Sequence, residues 1–179
     1  MIDQEELLFN ENCIRTFTGK PIDVFNLTID DICIEDIAHA LSNECRWGGH
    51  CKEFYSVAQH SIFTSKCATQ PNKLAALLHD ASEAYLRDIP RPIKHRLPDY
   101  KKLEHYVQDI IAQKFGFEYP FNEEIKKWDD YALRQEWSDI VLKDKLICKS
   151  PTVAEKEFLQ LFKTLTNGSI IQIPNKTSA

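Results

Sequence analysis

His79, Asp80 and Glu83 place an imidazole and two carboxylates close together inside the leucine-rich stretch LAALLHDASEAYL, Leu74–Leu86. Leu74, Leu77, Leu78 and Ala81 recur at i, i+3, i+4 and i+7, the stripe of a helix packed on a core. The spacing predicts one helix over Leu74–Leu86. On it His79 and Glu83 stand one turn apart on a shared face, with Asp80 rotated about 100° from His79. Carboxylates beside a leucine stripe are costly unless they are paired or hold a metal. Two further residues sit on apolar stripes where their type is unwelcome. His60 shares a face with Phe63, Thr64 and Cys67, and Asp129 shares one with Ile125, Trp128 and Ala132. A short loop between the first two helices makes them antiparallel neighbours, which lets His60 face His79 and Asp80. Taken singly, an inward histidine is more often a hydrogen-bonded core residue, and Asp129 is often solvated or paired with Lys126 or Arg134 one turn away. Taken together, two imidazoles and two carboxylates suit one divalent transition metal (zinc, cobalt, manganese or nickel) better than calcium. Such a metal leaves positions open for water and a phosphate oxygen and brings the pKa of its water toward about 7. Glu83 is then in reach of that water or of a leaving oxygen as general acid or base.

The elements that must position these residues are helical. Cys13–Leu27 carries β-branched and aromatic residues around Gly19, Lys20 and Pro21, the pattern of a small hairpin or an ordered arm. Helices are predicted over Ile34–Cys45 and Phe54–Ala68, separated by a loop at Arg46-Trp47-Gly48-Gly49, with Gln70-Pro71-Asn72 as the next break. Pro90 and Pro92 forbid a continuous helix after Tyr85. Tyr100–Phe115 is strongly amphipathic, with Leu103, Tyr106, Val107, Ile110 and Ile111 inward and Gly116 as its stop. Glu123–Leu146 is the next long helix. Ser150-Pro151 opens the last one as N-cap and first helical residue, Phe158, Leu161, Phe162 and Leu165 form its stripe, and Asn167-Gly168 ends it. The expected architecture is all-α: one compact helical domain over residues 1–179, its core about 34–166, with a small irregular arm or hairpin in front.

At this length a single domain with a sizeable core is expected, and 43% hydrophobic and 27% charged residues are ordinary for a soluble globular chain. A net charge of −5 and a pI near 5.7 argue against an extended nucleic-acid surface and leave room for a small anion held by local cations. The six cysteines form no CxxC pair and read as reduced structural thiols, which suits the cytoplasm. The acidic start MIDQEELLFNEN is not a signal peptide, and no apolar run approaches the roughly 20 residues of a membrane span.

His60, the pair His79-Asp80 and the distant Asp129 reproduce the H…HD…D pattern of HD-domain phosphohydrolases. Arg46-Trp47, SVAQHS at Ser56–Ser61, LHDASEAY at Leu78–Tyr85, Asp88, Pro92-Ile93-Lys94 and Lys126-x-x-Asp129 resemble the bacterial HD-domain 5′-deoxynucleotidases and the related phage dATP triphosphohydrolases. The likeness runs from about Asp36 to Ile140, and TFTGKPIDVF (Thr16–Phe25) is closer to the phage-type branch. The resemblance implies an HD-domain bundle with His60, His79, Asp80 and Asp129 as metal ligands and Glu83 as the catalytic acid or base. It implies Arg46, Lys94 and Lys126 as phosphate-binding cations, Trp47 against base or sugar, and Asp88 on a 3′-hydroxyl. Glu136 and Asp139 recur in the pattern too, orienting basic groups or packing; His39, His50, His95 and His105 match nothing and are read as structural. The expected activity is hydroxide attack on the α-phosphorus of a deoxynucleoside triphosphate, releasing nucleoside and triphosphate. The alternative substrate is a deoxynucleoside 5′-monophosphate, and the ligand set does not separate the two. Deoxynucleotide is the expected partner, with no nucleic-acid polymer and no membrane; homo-oligomers and a host-cytoplasmic setting, if the chain is phage-encoded, follow from the same likeness. Alarmone hydrolases carry a Glu-Asp pair after their HD, whereas Ala84 follows Glu83 here, and the GYP tripeptide of the cyclic-dinucleotide branch is absent. A non-catalytic, metal-stabilised regulatory module is the competing class, but its usual sign, loss of a ligand or of the acid, is missing.

Overall fold

The computed structural model describes residues 12–139 and 147–166. The protein is mostly α-helical. A two-stranded antiparallel hairpin leads, β1 (Ile14–Arg15) against β2 (Pro21–Ile22), in the register Ile14↔Ile22. Gly19 has a φ of +89°, which a side chain would strain, so the Gly19-Lys20-Pro21 signal marks a real turn. Thr18 donates from its backbone N and its hydroxyl to Asp36, at 2.6 and 2.9 Å, which ties the hairpin to the first turn of α1 (Ile34–Asn43).

Helix α2 (Val57–Cys67) is the central element. It packs against α1, α3 (Lys73–Leu77), α7 (Glu123–Trp137) and α8 (Pro151–Leu165). Residues Val57–Ile62, Thr64 and Ser65 are all buried, so α2 has no polar face to set against an apolar one. Ser56 caps it by accepting from the backbone N of Gln59. The long α6 (Pro98–Phe115) buries Val107, Ile110 and Ile111, while Tyr106 stays 39% exposed with its hydroxyl on the Leu27 carbonyl. Gly116 ends it in the left-handed region, and Ser150 caps α8, both as the sequence predicts. Glu123–Leu146 is helical only to Trp137 as an α-helix, and its stretch beyond Asp139, like Asn167-Gly168, lies outside the described residues. All six cysteines are free thiols. Among the described residues no helix is long and apolar enough to cross a membrane.

The predicted helix over Leu74–Leu86 is broken. Helix α3 stops after Leu77, Leu78 is its C-cap, and a four-residue helix, α4 (Glu83–Leu86), resumes after an i→i−3 turn in which Ala81 N donates to Leu78 O and Glu83 N to Asp80 O. The cause is local. His79 Nδ1 donates to the Ala76 carbonyl at 2.8 Å, the acceptor that a continuing helix would give to the Asp80 N–H. The HD pair thus lies in a tight turn, not along a helix face.

The loop joining α2 to α3 is fastened to α7 by Glu124. Its carboxylate accepts from Thr69 N at 2.8 Å, from the Thr69 hydroxyl at 2.9 Å, from Asn72 Nδ2 and from Trp128 Nε1 at 3.3 Å. Those donors, the Thr69 backbone first, hold its pKa down at about 2 against an ordinary 4.5. A depressed carboxylate stabilises the fold above its unfolded pKa and loses that contribution as the pH falls through its folded value. Glu124→Gln should therefore melt below wild type at pH 6–7, with the gap closing as the pH drops from 4.5 toward 2. Melting curves across that range decide it; a gap of constant size would assign the loss to shape and not to charge.

Candidate metal centre

Two helices and one turn bring the predicted ligands together. His60 comes from the middle of α2, His79 and Asp80 from the turn after α3, and Asp129 from α7, whose buried Ile125 and Ala132 fix the rotation of that helix. His60 Nε2 lies 3.2 Å from His79 Nε2, 3.1 Å from Asp129 Oδ1 and 3.6 Å from Asp80 Oδ2. His79 Nε2 lies 3.3 Å from Asp80 Oδ2 and 3.7 Å from Asp129 Oδ1. One nitrogen or oxygen donor atom from each of His60, His79 and Asp129 falls within 4.8 Å of the others.

Hydrogen bonds behind the rings set what the facing atoms can be. His79 Nδ1 meets a carbonyl, which only accepts, so Nδ1 carries the proton. His60 Nδ1 meets the Glu136 carboxylate at 2.7 Å and donates to it. In the neutral rings both Nε2 atoms therefore present lone pairs, 3.2 Å apart, beside two carboxylates. Two lone pairs and the Asp129 oxygen gathered within 4.8 Å, with Asp80 at 3.3 Å from His79, repel unless a cation sits between them. The same pull shows in His79: burial resists its protonation, yet Asp80, then Asp129, push its pKa up to about 9. Asp129 is drawn well below the carboxylate range by both histidines despite its burial. Nitrogen and oxygen donors in this ratio fit a divalent transition metal.

Asp80 and Asp129 carry the cluster to the wall of a cavity of about 500 Å³, within the roughly 300–1,000 Å³ of small-molecule sites, with both imidazoles behind them. Arg46, Trp47, Glu83, Asp88 and Lys94, all singled out in the sequence, line it. Arg46 is buried and stays charged: burial opposes the charge, but Glu136, then Asp80 and Asp88, outweigh it. Its Nε donates to Glu136 at 3.0 Å and its Nη1 is 3.8 Å from Asp80. Glu83 is 5% exposed; burial, then Asp80 and Asp88, raise its pKa well above the usual range against the opposing pull of Lys94 and Arg46. Lys94 is held between Glu83 at 3.3 Å and Glu104 at 2.6 Å. Asp88 is likewise shifted up, chiefly by burial. Among the described residues, Glu83 Oε2 and Trp47 Nε1 are buried polar atoms with no hydrogen-bond partner, and both residues face the cavity. Trp47, at φ +60°, and Arg87, at φ +76° just before Asp88, hold backbone conformations that side chains rarely adopt.

Lys126 is the predicted site residue that is not brought in. Its side chain is 59% exposed, runs back along α7 to Glu123 at 2.7 Å, and does not line the cavity. Arg91 takes a place there instead, with His50, which the sequence reading left as structural. Glu136 orients basic groups as expected, on Arg46 and on His60, and Tyr55 joins it with a hydroxyl at 3.2 Å. Asp139 lines a second cavity, of about 310 Å³, that Glu136 and Tyr55 share.

No family model matches the chain. It is 44% identical over 131 residues to the uncharacterized protein YfdR of Escherichia coli, covering 73% of this chain and 74% of that protein. This chain belongs to the YfdR family. It is also 34% identical over 140 residues to the uncharacterized protein RCAP_rcc00048 of Rhodobacter capsulatus, covering 70% and 71% of the two chains. A YfdR-family chain can thus bring two imidazoles, two carboxylates, a buried acid and local cations together at a cavity of about 500 Å³.

Proposed function

We propose that this protein is an HD-type, divalent-metal-dependent phosphohydrolase of deoxynucleotides, with a deoxynucleoside triphosphate as substrate and nucleoside and triphosphate as products. The observation that carries the reading is the pair of imidazole Nε2 atoms held 3.2 Å apart beside two carboxylates, next to a buried acid with an unpartnered oxygen. His60, His79, Asp80 and Asp129 would hold the metal. Bound there, it would acidify a water and withdraw charge from the phosphoryl oxygens.

The chain's own groups supply the rest. Arg46 and Lys94 offer charge to the α-phosphate oxygens, Arg46 as a planar fork anchored through its Nε. Glu83, whose carboxyl is biased toward its protonated form by burial and then by Asp80 and Asp88, gives a proton to the 5′ oxygen of the departing nucleoside. The Trp47 indole N–H is a free donor for the base or sugar, and Asp88 is placed to accept from a 3′-hydroxyl.

The test is product analysis with all four dNTPs and dNMPs, with cobalt, manganese or zinc and after chelation. Triphosphate release from a dNTP that disappears on chelation is the expected result. Inorganic phosphate from dNMPs alone would assign a 5′-nucleotidase on the same ligands. No turnover with any metal, while metal still raises the melting temperature, would leave a binding or regulatory module and sink the enzymatic reading.

A further inference from the structure

Arg91 opens the four-residue helix α5 (Arg91–Lys94) on the rim of the cavity. Its Nη2 lies 3.6 Å from Asp129 Oδ2, and its Nη1 lies 3.2 Å from Asp130 Oδ1. Asp129 therefore faces two ways, Oδ1 toward the imidazoles and Oδ2 toward Arg91. We propose that Arg91 is the specificity residue that grips the phosphates beyond the α-phosphate and so selects a polyphosphate chain over a monophosphate. The inference rests on the phosphohydrolase reading and deepens it.

Among the described residues three cations line this cavity, Arg46, Arg91 and Lys94, and they are not equivalent. Arg46 is buried and tied to Glu136 close to the ligand cluster. Lys94 is only 19% exposed and is fixed between Glu83 and Glu104. Both are committed to the inner end, where an α-phosphate would lie. Arg91 is 55% exposed, and its partners Asp129 and Asp130 are 28% and 52% exposed. Ion pairs as open as these contribute little, so the guanidinium can exchange them for a more highly charged anion. Once Asp129 shares its charge with a cation at the cluster, its hold on Arg91 weakens further.

The backbone at this point is stiff. Pro90 precedes Arg91 and Pro92 follows it, fixing two φ angles, and Ile93 N and Lys94 N both donate back to Pro90 O. The side chain thus stands exposed on a fixed base. Its fork suits the paired oxygens of a phosphate, whereas an ammonium would offer only a point charge. The plainer alternative is that Arg91 merely neutralises Asp129 and Asp130.

Two assays on the full chain separate these roles, applied to wild type, Arg91→Ala and Arg91→Lys. The first is calorimetric titration with inorganic tripolyphosphate in the presence of manganese. The second compares KM and kcat for a dNTP and for its dNMP. The expected result is a loss of about 10- to 100-fold in tripolyphosphate affinity and a matching rise in the dNTP KM for Arg91→Ala, with partial rescue by Lys. The dNMP KM should stay unchanged. Equal tripolyphosphate affinity in all three proteins, or a parallel rise of KM for both nucleotides, would overturn the assignment. Wild type that turns over nucleotides but shows no Arg91-dependent tripolyphosphate binding would sink this inference alone. Wild type that hydrolyses no nucleotide would sink the phosphohydrolase reading, and the inference with it.

Discussion

Replacing Glu83 with Gln should lower kcat by about 10²–10⁴, the usual worth of a positioned general acid or base, with little change in KM. The side chain is buried, one oxygen contacts Lys94, and the other is without a partner on the cavity wall. Gln keeps the shape and the Lys94 contact but cannot pass a proton to the leaving oxygen. The same substitution has an opposite expected effect on stability. A carboxyl whose folded pKa is raised stabilises fully below its unfolded pKa of about 4.5, and that contribution is lost as the pH rises through the folded value. At pH 8 the Gln variant should therefore melt no lower than wild type, while Lys94 retains Glu104 at 2.6 Å as a partner. Rate measurements and melting curves at pH 5 and pH 8 test both halves. Turnover within a few-fold of wild type would remove Glu83 from the chemistry.

Why some of this was legible in the sequence and some was not follows from the physics of particular residues. His60, His79, Asp80 and Asp129 stand out because polar groups on apolar stripes are costly, and periodicity exposes a misfit of type whatever its partner. The ends of α6 and α8 are legible because Gly116 and Ser150 act locally, through a left-handed φ and a side-chain cap. The break after Leu77 is invisible to periodicity. It comes from one side chain, His79, competing with the backbone for the Ala76 carbonyl, while the leucine pattern continues through it. The exchange of Lys126 for Arg91 fails in the same way. Both are cations near Asp129, and only the fold decides that Lys126 turns back to Glu123 while the Pro90-Arg91-Pro92 segment, read only as a helix breaker, comes over the cavity. Tyr55 gave no signal, because its role is to donate to a carboxylate 81 residues away. Trp47 lies beside two glycines that already announce a loop, so nothing pointed to the tryptophan itself taking a positive φ.

Replacing Glu136 should cost both stability and metal affinity, and the two losses can be read separately. This carboxylate is 2% exposed and accepts from His60 Nδ1 at 2.7 Å, Arg46 Nε at 3.0 Å and Tyr55 Oη at 3.2 Å. Burial alone would raise its pKa, but His60 first and then Arg46 hold it below the ordinary value, so it stays charged inside the protein. With Gln at this position, Arg46 loses the carboxylate that its Nε contacts at 3.0 Å and is left with more distant anions, Asp80 at 3.8 Å first among them. Breaking one side of a buried charge network costs about 3–5 kcal/mol. At about 2–4 °C per kcal/mol for a domain of this size, the melting temperature should fall by roughly 6–20 °C. The second loss concerns the ring. An amide in place of the acceptor-only carboxylate can accept from Nδ1 or, flipped, donate to it, so the proton is held on Nδ1 less firmly, and groups that orient a ligating histidine typically contribute about 10–100-fold in metal affinity. The stabilisation that saturating manganese or cobalt confers should shrink with it, by up to about 2.7 kcal/mol for a 100-fold weaker site. Melting curves of wild type, Glu136→Gln and Glu136→Asp, each with and without metal, make the distinction. A carboxylate that served packing alone would lower both curves of the Gln variant equally. One that holds His60 Nε2 toward the metal lowers the metal-bound curve further, and Asp, with its charge retained, recovers part of that difference.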